Sequence, residues 1–308
     1  MEVLTVRSGL VEAADRVDVV AVDADGRELD RSGDPDHPLY YRSTVKPLQA
    51  HVALELGARL DPERLAVACS SHGGFPVHVG LVAGILEDAG LGEGHLRCPP
   101  AWPLAARARD EAHRRGERRP RRTYHPCSGK HAAWLAACVA SGLPTADYLD
   151  PSHPLQRRVA EVVADATGVD PTPCGVDGCG APTWRGTVRG LARAFARLLD
   201  DHPEPAAAMS RFPALVADAL RPDGRLAMWW GGPVKVGAAG LVAAGRLGVG
   251  LAAKSRAGRA DHAVVALIRV ARRLGLLTDA MRDDLGEVVS PPVWGGDRVV
   301  GSVEVRGS

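Results

Sequence analysis

Residues 41–57 read YRSTVKPLQAHVALELG, and this stretch divides the chain. Before it lie two β-branched runs, VLTVRSGLVEA and VDVVAVDADGREL. The second carries an Asp25-Gly26 turn signal between VDVVAV and REL. Together they predict a hairpin start. From Ser43 onward the period changes. Val45, Leu48, His51, Val52 and Leu54 recur at helical spacing. Pro47 fits only in a first turn, where its missing N–H costs nothing. Gly57 supplies a stop. A helix therefore starts near Ser43 and ends near Gly57.

Further helices follow. Asp61-Pro62 is a cap followed by a proline at the first helical position. HVGLVAGILEDAGLG from His78, CSGKHAAWLAACVASG from about Ser128, and HPLQRRVAEVVADATG with its Gly stop carry helical patterns. TVRGLARAFARLLDD and PAAAMSRFPALVADAL read as two more. KVGAAGLVAAG and LGVGLAAKS read as adjacent strands, DHAVVALIRVARRLGLL as a C-terminal helix and DRVVGSVEV as a closing strand. Strands at both ends with helices over about 60–225 predict an α/β arrangement: one sheet with a helical insertion, in one domain over 1–308. No repeat, long linker or low-complexity segment interrupts it.

Of the 308 residues, 45% are hydrophobic and 24% charged, ordinary values for a globular chain with a core. The 38 basic and 37 acidic residues leave a formal charge of +1. No global pull toward nucleic acid or anionic membrane follows. The N-terminus lacks a basic region followed by a long apolar run. No stretch reaches the roughly 18 apolar residues of a membrane span. The expected compartment is the cytoplasm, where Cys69, Cys98, Cys127, Cys138, Cys174 and Cys179 would be reduced thiols. Packing, metal binding and catalysis remain open to them. The basic run RRGERRPRR at 114–122 reads as a solvated loop in preference to an anion-binding patch. Richness in Ala, Gly, Arg and Val reads as codon bias.

Four places can carry chemistry. Ser43-Thr44-Val45-Lys46 puts a hydroxyl and an amine three residues apart, on one helical face. A serine hydroxyl needs a base to act as nucleophile. A lysine serves only when neutral, through desolvation or a neighbouring positive charge. S-x-x-K is the nucleophile motif of penicillin-recognising enzymes. Lys254-Ser255 ends an apolar strand and resembles the K-T-G element of that class. Taken alone, Lys254 is a strand-end lysine reaching solvent. Ser70-Ser71-His72-Gly73-Gly74 is either a Gly-rich turn or the middle element of the same set. Finally, Cys127-Ser128-Gly129-Lys130-His131 opens a helix with its N–H groups free. Gly175-Val176-Asp177-Gly178-Cys179-Gly180 is Gly-rich around a carboxylate and a thiol. Two structural cysteines and a zinc site are both compatible with this spacing. Cys138, with Trp134 and Leu135, reads as core.

YRSTVKP, CSSHGG, HPCSGKHA, GVDGCGAPT and KVGAAG…GLAAKSRAG occur in the order found in asparaginase II proteins, the Rhizobium-type asparaginases. The resemblance covers nearly the whole chain. It implies a fold similar to serine β-lactamases and glutaminases, with a mainly antiparallel central sheet. It implies a soluble cytoplasmic homodimer that hydrolyses L-asparagine to L-aspartate and ammonia. A glutaminase or another amide hydrolase of that fold, and a non-catalytic amino-acid- or zinc-binding protein, are the alternatives. Carried over position by position, it implies that Ser43 and Lys46 form one serine–lysine pair, with Ser43 the nucleophile, and Ser71 and Lys254 a second. Arg42, Asp177 and His72 would contact substrate. Cys127, Lys130 and Cys179 would hold zinc. Phe75, Ala239, His125-Pro126 and Gly180 depart from the family pattern; Phe75 and Ala239 stand where an acidic residue is usual.

Overall fold

The computed structural model describes residues 1–278, 281 and 284–306. Its strands are β1 (Glu2–Arg7), β2 (Leu10–Asp23), β3 (Glu28–Ser32), β4 (Leu39–Tyr40), β5 (Gly175–Val176), β6 (Pro182–Thr183), β7 (Arg185–Gly186), β8 (Val234–Gly237), β9 (Leu241–Arg246), β10 (Val249–Ser255), β11 (Pro292–Gly295) and β12 (Arg298–Arg306). The main sheet runs β11-β12-β1-β2-β10-β9-β8, with β3 also on β2. All of its pairings are antiparallel. Two small ribbons, β4-β7 and β5-β6, stand apart.

The helices are α1 (Lys46–Glu55), α2 (Pro62–Cys69), α3 (Pro76–Asp88), α4 (Ala106–Arg114), α5 (Ser128–Ala140), α6 (Pro154–Thr167), α7 (Val188–Ala196), α8 (Leu198–Asp201), α9 (Pro203–Arg211), α10 (Pro213–Val216), α11 (Pro222–Trp230), α12 (Ala260–Arg273) and α13 (Gly286–Val289). The mixed α/β class with a mainly antiparallel sheet and a helical region is therefore present. Local chemistry explains the boundaries. The Asp61 side chain caps α2 by accepting from the Arg64 N–H at 2.9 Å. Gly168 closes α6 at φ +70°. Among the described residues, no helix is long and apolar enough to cross a membrane.

Alternation along the strands divides the core between two faces. Val17, Val19 and Ala21 of β2 join Val242, Leu251 and Ala253 under α11 and α12. Val20 and Val22, with Ala243 and Ala252, face α7 and the cluster built from α1, α2, α5 and α6. Helix α7 lies against the sheet where side chains vanish. A Cβ on Gly250 would come within 1.9 Å of the Ala192 carbonyl oxygen, and one on Gly245 within 2.2 Å of Phe195 O.

Several segments differ from expectation. KVGAAGLVAAG is two strands, β8 and β9. They are parted by a tight turn in which Ala239 has φ +58° and Gly240 φ +72°. PAAAMSRFPALVADAL breaks into α9 and α10 at Pro213, as proline's missing N–H requires. Helices α4 and α11 and strand β11 carry too weak a period to be anticipated. In the basic loop, Arg121 is engaged by Glu93 at 2.8 Å and Glu117 at 3.4 Å.

The close α7–sheet contact predicts opposite outcomes for two glycines. Gly250→Ala should lose about 1–3 kcal/mol of stability by overpacking. Gly80→Ala, in α3 with nothing within 4 Å of the new methyl, should gain about 0.5–1 kcal/mol from helix propensity. Urea unfolding midpoints measure both. A Gly250→Ala midpoint equal to wild type would refute the contact.

Candidate active site

Two buried amines converge on one hydroxyl. Lys46 opens α1 and is 1% exposed. Its Nζ donates to the Ser70 carbonyl, to Ser71 Oγ at 3.2 Å and to the Pro126 carbonyl at 3.3 Å. Lys235, on β8 and also 1% exposed, hydrogen-bonds Ser71 Oγ at 2.9 Å and donates to Val236 O at 2.9 Å. Burial in an apolar interior disfavours the ammonium form. It pushes Lys235 down to about 7, and the Lys46 charge pushes the same way against buried Asp223.

The lysine beside Ser71 is thus Lys235, and the expected Ser71–Lys254 pair does not form. Lys235 lies opposite Ala243 on β9, which lies opposite Ala252 on β10. Lys254 is therefore two strands and two residues away, about 10 Å across the sheet. Its Nζ donates to Ala239 O at 2.7 Å and to the Ser255 carbonyl. A signal for Lys235 stood in the sequence: Lys235-Val236-Gly237 keeps the lysine and glycine of K-T-G. Read as one strand, KVGAAGLVAAG hides that element; the β8–β9 break exposes it.

Ser43 lies partly exposed in a 3₁₀ turn, Arg42–Val45, leading into α1. No hydrogen bond joins its Oγ to Lys46 among the described residues; that amine is turned toward Ser71 and the two carbonyls. Glycine-like backbone at Arg42, φ +51°, sets the turn. The Arg42 N–H donates to Thr183 Oγ1 at 3.2 Å. The guanidinium directs Nε at 2.8 Å and Nη2 at 2.7 Å onto Asp177 Oδ1. The Gly178 N–H adds a third donor to that oxygen at 2.7 Å. Asp177 thus takes one edge of the Arg42 guanidinium, the group expected to contact substrate. Arg42 and Asp177 present a cation and an anion side by side.

His72 departs from the substrate-binding role expected of it. It is 0% exposed. Its Nε2 lies 2.8 Å from Ser128 Oγ, which donates to Thr123 O at 2.9 Å. Nε2 must then carry the proton, and burial holds the ring neutral, well below 6.5. His72 stacks on His78 and braces the start of α5.

Cys127 at the N-cap of α5, Lys130 one turn on and Cys179 on the β5–β6 ribbon meet beside Lys46. Lys130 Nζ is 3.5 Å from Cys179 Sγ and 4.4 Å from the Trp134 ring centre. A hydrogen bond from Cys179 holds Cys127 well below the usual thiol range, opposed by burial and helped by Lys46. Cys179 is raised in turn, by that bond and by burial. Burial pushes Lys130 down, but Cys179, Cys127 and Asp177 together raise it. Among the described residues, no three His, Cys, Asp or Glu side chains gather to hold a metal. A metal here would need the Lys130 amine as third ligand. The 3.5 Å amine–thiol distance fits such a set, since one edge of a tetrahedral zinc site with N and S ligands is about 3.6 Å.

The depressed Lys235 value has a sign that can be measured. At low pH both folded and unfolded states carry the charge, and the folded state bears the cost of burying it. As pH rises from about 7 toward the exposed value of 10.5, the folded state has already released its proton and stability increases. The buried thiols Cys69 and Cys98, raised to about 12, act the other way only near and above 9.0. Between pH 7 and 9 wild-type stability should therefore rise more steeply than that of Lys235→Met. Parallel curves by urea denaturation would contradict the assignment.

The family described as L-asparaginase II matches residues 3–305. None of the curated proteins matches the chain. Among solved structures, the crystal structure of Mglu in its glutamate form shares 17% identity at a TM-score of 0.47, over 85% of this chain and 61% of that one. Mglu in its native form in 4.3 M NaCl shares 18% at 0.46, over 92% and 67%. This chain thus spans about three-fifths of the length of the first of these. Likenesses so distant bear no weight on function. The family match spans nearly every residue described above, from β1 to β12, and on that ground the chain belongs to the L-asparaginase II family.

Proposed function

We propose that this chain is an amidohydrolase that converts L-asparagine to L-aspartate and ammonia. The observation that carries the reading is the Ser71 hydroxyl held between two buried amines, one of them kept near neutrality. Ser43 attacks the side-chain amide carbon. Lys46 hands a proton through Ser71 Oγ to neutral Lys235 and, with its lone pair thus freed, takes the Ser43 proton. The same relay returns a proton to the leaving nitrogen, so ammonia departs and a β-aspartyl ester remains. Water hydrolyses that ester and frees the serine. Helix-start N–H groups around Ser43 supply the oxyanion donors. Catalytic hydrogen bonds often tighten only in the reacting complex, and the direct Ser43–Lys46 contact is expected there.

The juxtaposed Arg42 and Asp177 suit a zwitterion. The free guanidinium edge takes an α-carboxylate and the second Asp177 oxygen takes an α-ammonium. Cys127, Cys179 and, once deprotonated, Lys130 would hold zinc. When bound, that ion would supply a Lewis-acid contact that orients substrate. A cytoplasmic homodimer completes the proposal and rests on the sequence resemblance alone.

Ammonia release from asparagine and from glutamine, with and without added zinc, tests the reading. Asparagine turnover is expected, and Ser43→Ala should lose several orders of magnitude, because nucleophile and base act as a unit. Activity within about tenfold of wild type would remove Ser43 from this role. Preference for glutamine would move the substrate, and calorimetric binding of asparagine without turnover would favour a binding protein.

One observation favours a second reading of the nucleophile: of the two serines, only Ser71 lies at hydrogen-bond distance from the amines. Mass spectrometry of an acyl-enzyme trapped at low pH separates the two. The acyl group is expected on the peptide containing Ser43, and finding it on Ser71 would exchange the roles.

A further inference from the structure

Lys254 reaches neither serine, yet its amine is committed. It donates to Ala239 O at 2.7 Å and to the Ser255 carbonyl. Ala239 sits in the β8–β9 turn at φ +58°, a conformation that L side chains rarely adopt. Such backbone persists only where its surroundings over-determine it. The surroundings here are dense. Gly240 O accepts from the Ser255 N–H at 2.8 Å. A Cβ on Gly240 would come within 2.6 Å of the Gly258 carbonyl carbon. Loop 255–259 is in turn fastened to buried Asp15. That carboxylate accepts from Ser255 Oγ at 2.5 Å, Ala257 N at 3.0 Å and His262 Nδ1 at 3.0 Å. On its other side the end of β8 meets the segment around Ser43. A Cβ on Gly237 would lie 3.0 Å from Thr44 Cγ2 and 3.2 Å from Tyr41 O. The end of β8 is thus pressed against the 3₁₀ turn that carries Ser43.

We propose that Lys254 is a positioning residue: it clamps the 238–240 turn, and through Gly237 it holds the Ser43 turn against the Lys235 strand. The chain of support runs from buried Asp15 through loop 255–259 and Lys254 to Ala239, then to Thr44 and Ser43. Lys254 stands outside the Ser71 relay, because its amine is directed onto two carbonyls and onto neither serine.

The consequence for turnover rests on the amidohydrolase reading; the consequence for mobility does not. The test compares Lys254→Met and Lys254→Arg with the full-length wild type. Hydrogen exchange should quicken in Lys254→Met at 237–240 and 41–45 while α12 is unchanged. Its kcat for asparagine should fall about 10- to 100-fold, the scale of a small misplacement of reacting groups. Its KM should stay within about threefold, since substrate contacts remain. Lys254→Arg, which still donates to both carbonyls, should restore both readouts. Unchanged exchange at those peptides, a kcat within about twofold of wild type, or a loss confined to KM would each overturn the proposal. If the protein turns over no amide, the amidohydrolase reading falls and the exchange comparison alone decides for Lys254.

Discussion

Two ammonium-forming side chains buried against one hydroxyl, with no carboxylate in contact among the described residues, are the constraint from which the rest follows. An isolated buried charge is costly, and a buried amine answers by giving up its proton. Here the backbone takes part of the load. Carbonyls of Ser70, Pro126 and Val236 solvate the two amines without neutralising them. That leaves an uncompensated cost of burial, the larger influence lowering Lys235, with the Lys46 charge adding to it. A carboxylate partner in contact would have removed it.

The fold supplies these groups from opposite layers. Lys46 comes from the helical region and Lys235 from edge strand β8, and Ser71 lies in the connection after α2. The distances between them therefore depend on how the sheet packs on the helices. The ribbon β5–β6 brings Asp177 and Cys179 from a third direction, and Arg42 ties it to the 3₁₀ turn that carries Ser43. Each group is placed by a different element, yet all converge around the start of α1.

Much of this was legible in the chain. Period changes located the opening hairpins, α1, α2, α3, α5, α6, α7 and α12, because proline, glycine and capping residues mark their ends. Ser43 and Lys46 stand out by spacing, and Ser71 by the family resemblance. Lys235 did not, because an all-apolar Gly-punctuated run hides where one strand ends and the next begins. The positive φ of Ala239 and Gly240, and the antiparallel pairing of β8 with β9, show the break. Lys254 was misread for a related reason. A strand-end lysine looks the same whether its amine faces a serine or a carbonyl, and the register between β8, β9 and β10 decides. His72 was misread because burial and tautomer are invisible in sequence. The opposing demands on Cys127 and Cys179 likewise arise only when two distant segments meet.

The glycine-to-backbone approach of α7 on Gly245 and Gly250 reaches beyond local packing. Small residues such as Ala243 and Ala252 line the same face, so the Ala- and Gly-rich composition works as a spacer of minimal thickness between the layers. A lysine stem is a ruler of fixed length, and on this face it has little slack. Evolution could enlarge the interior on that side only by lifting the helices off the strands, which would carry the hydroxyl out of reach of the amine. Interior volume and chemical competence are therefore a single inherited quantity in this protein. Drift in its core should be confined to exchanges that keep the gap the same width.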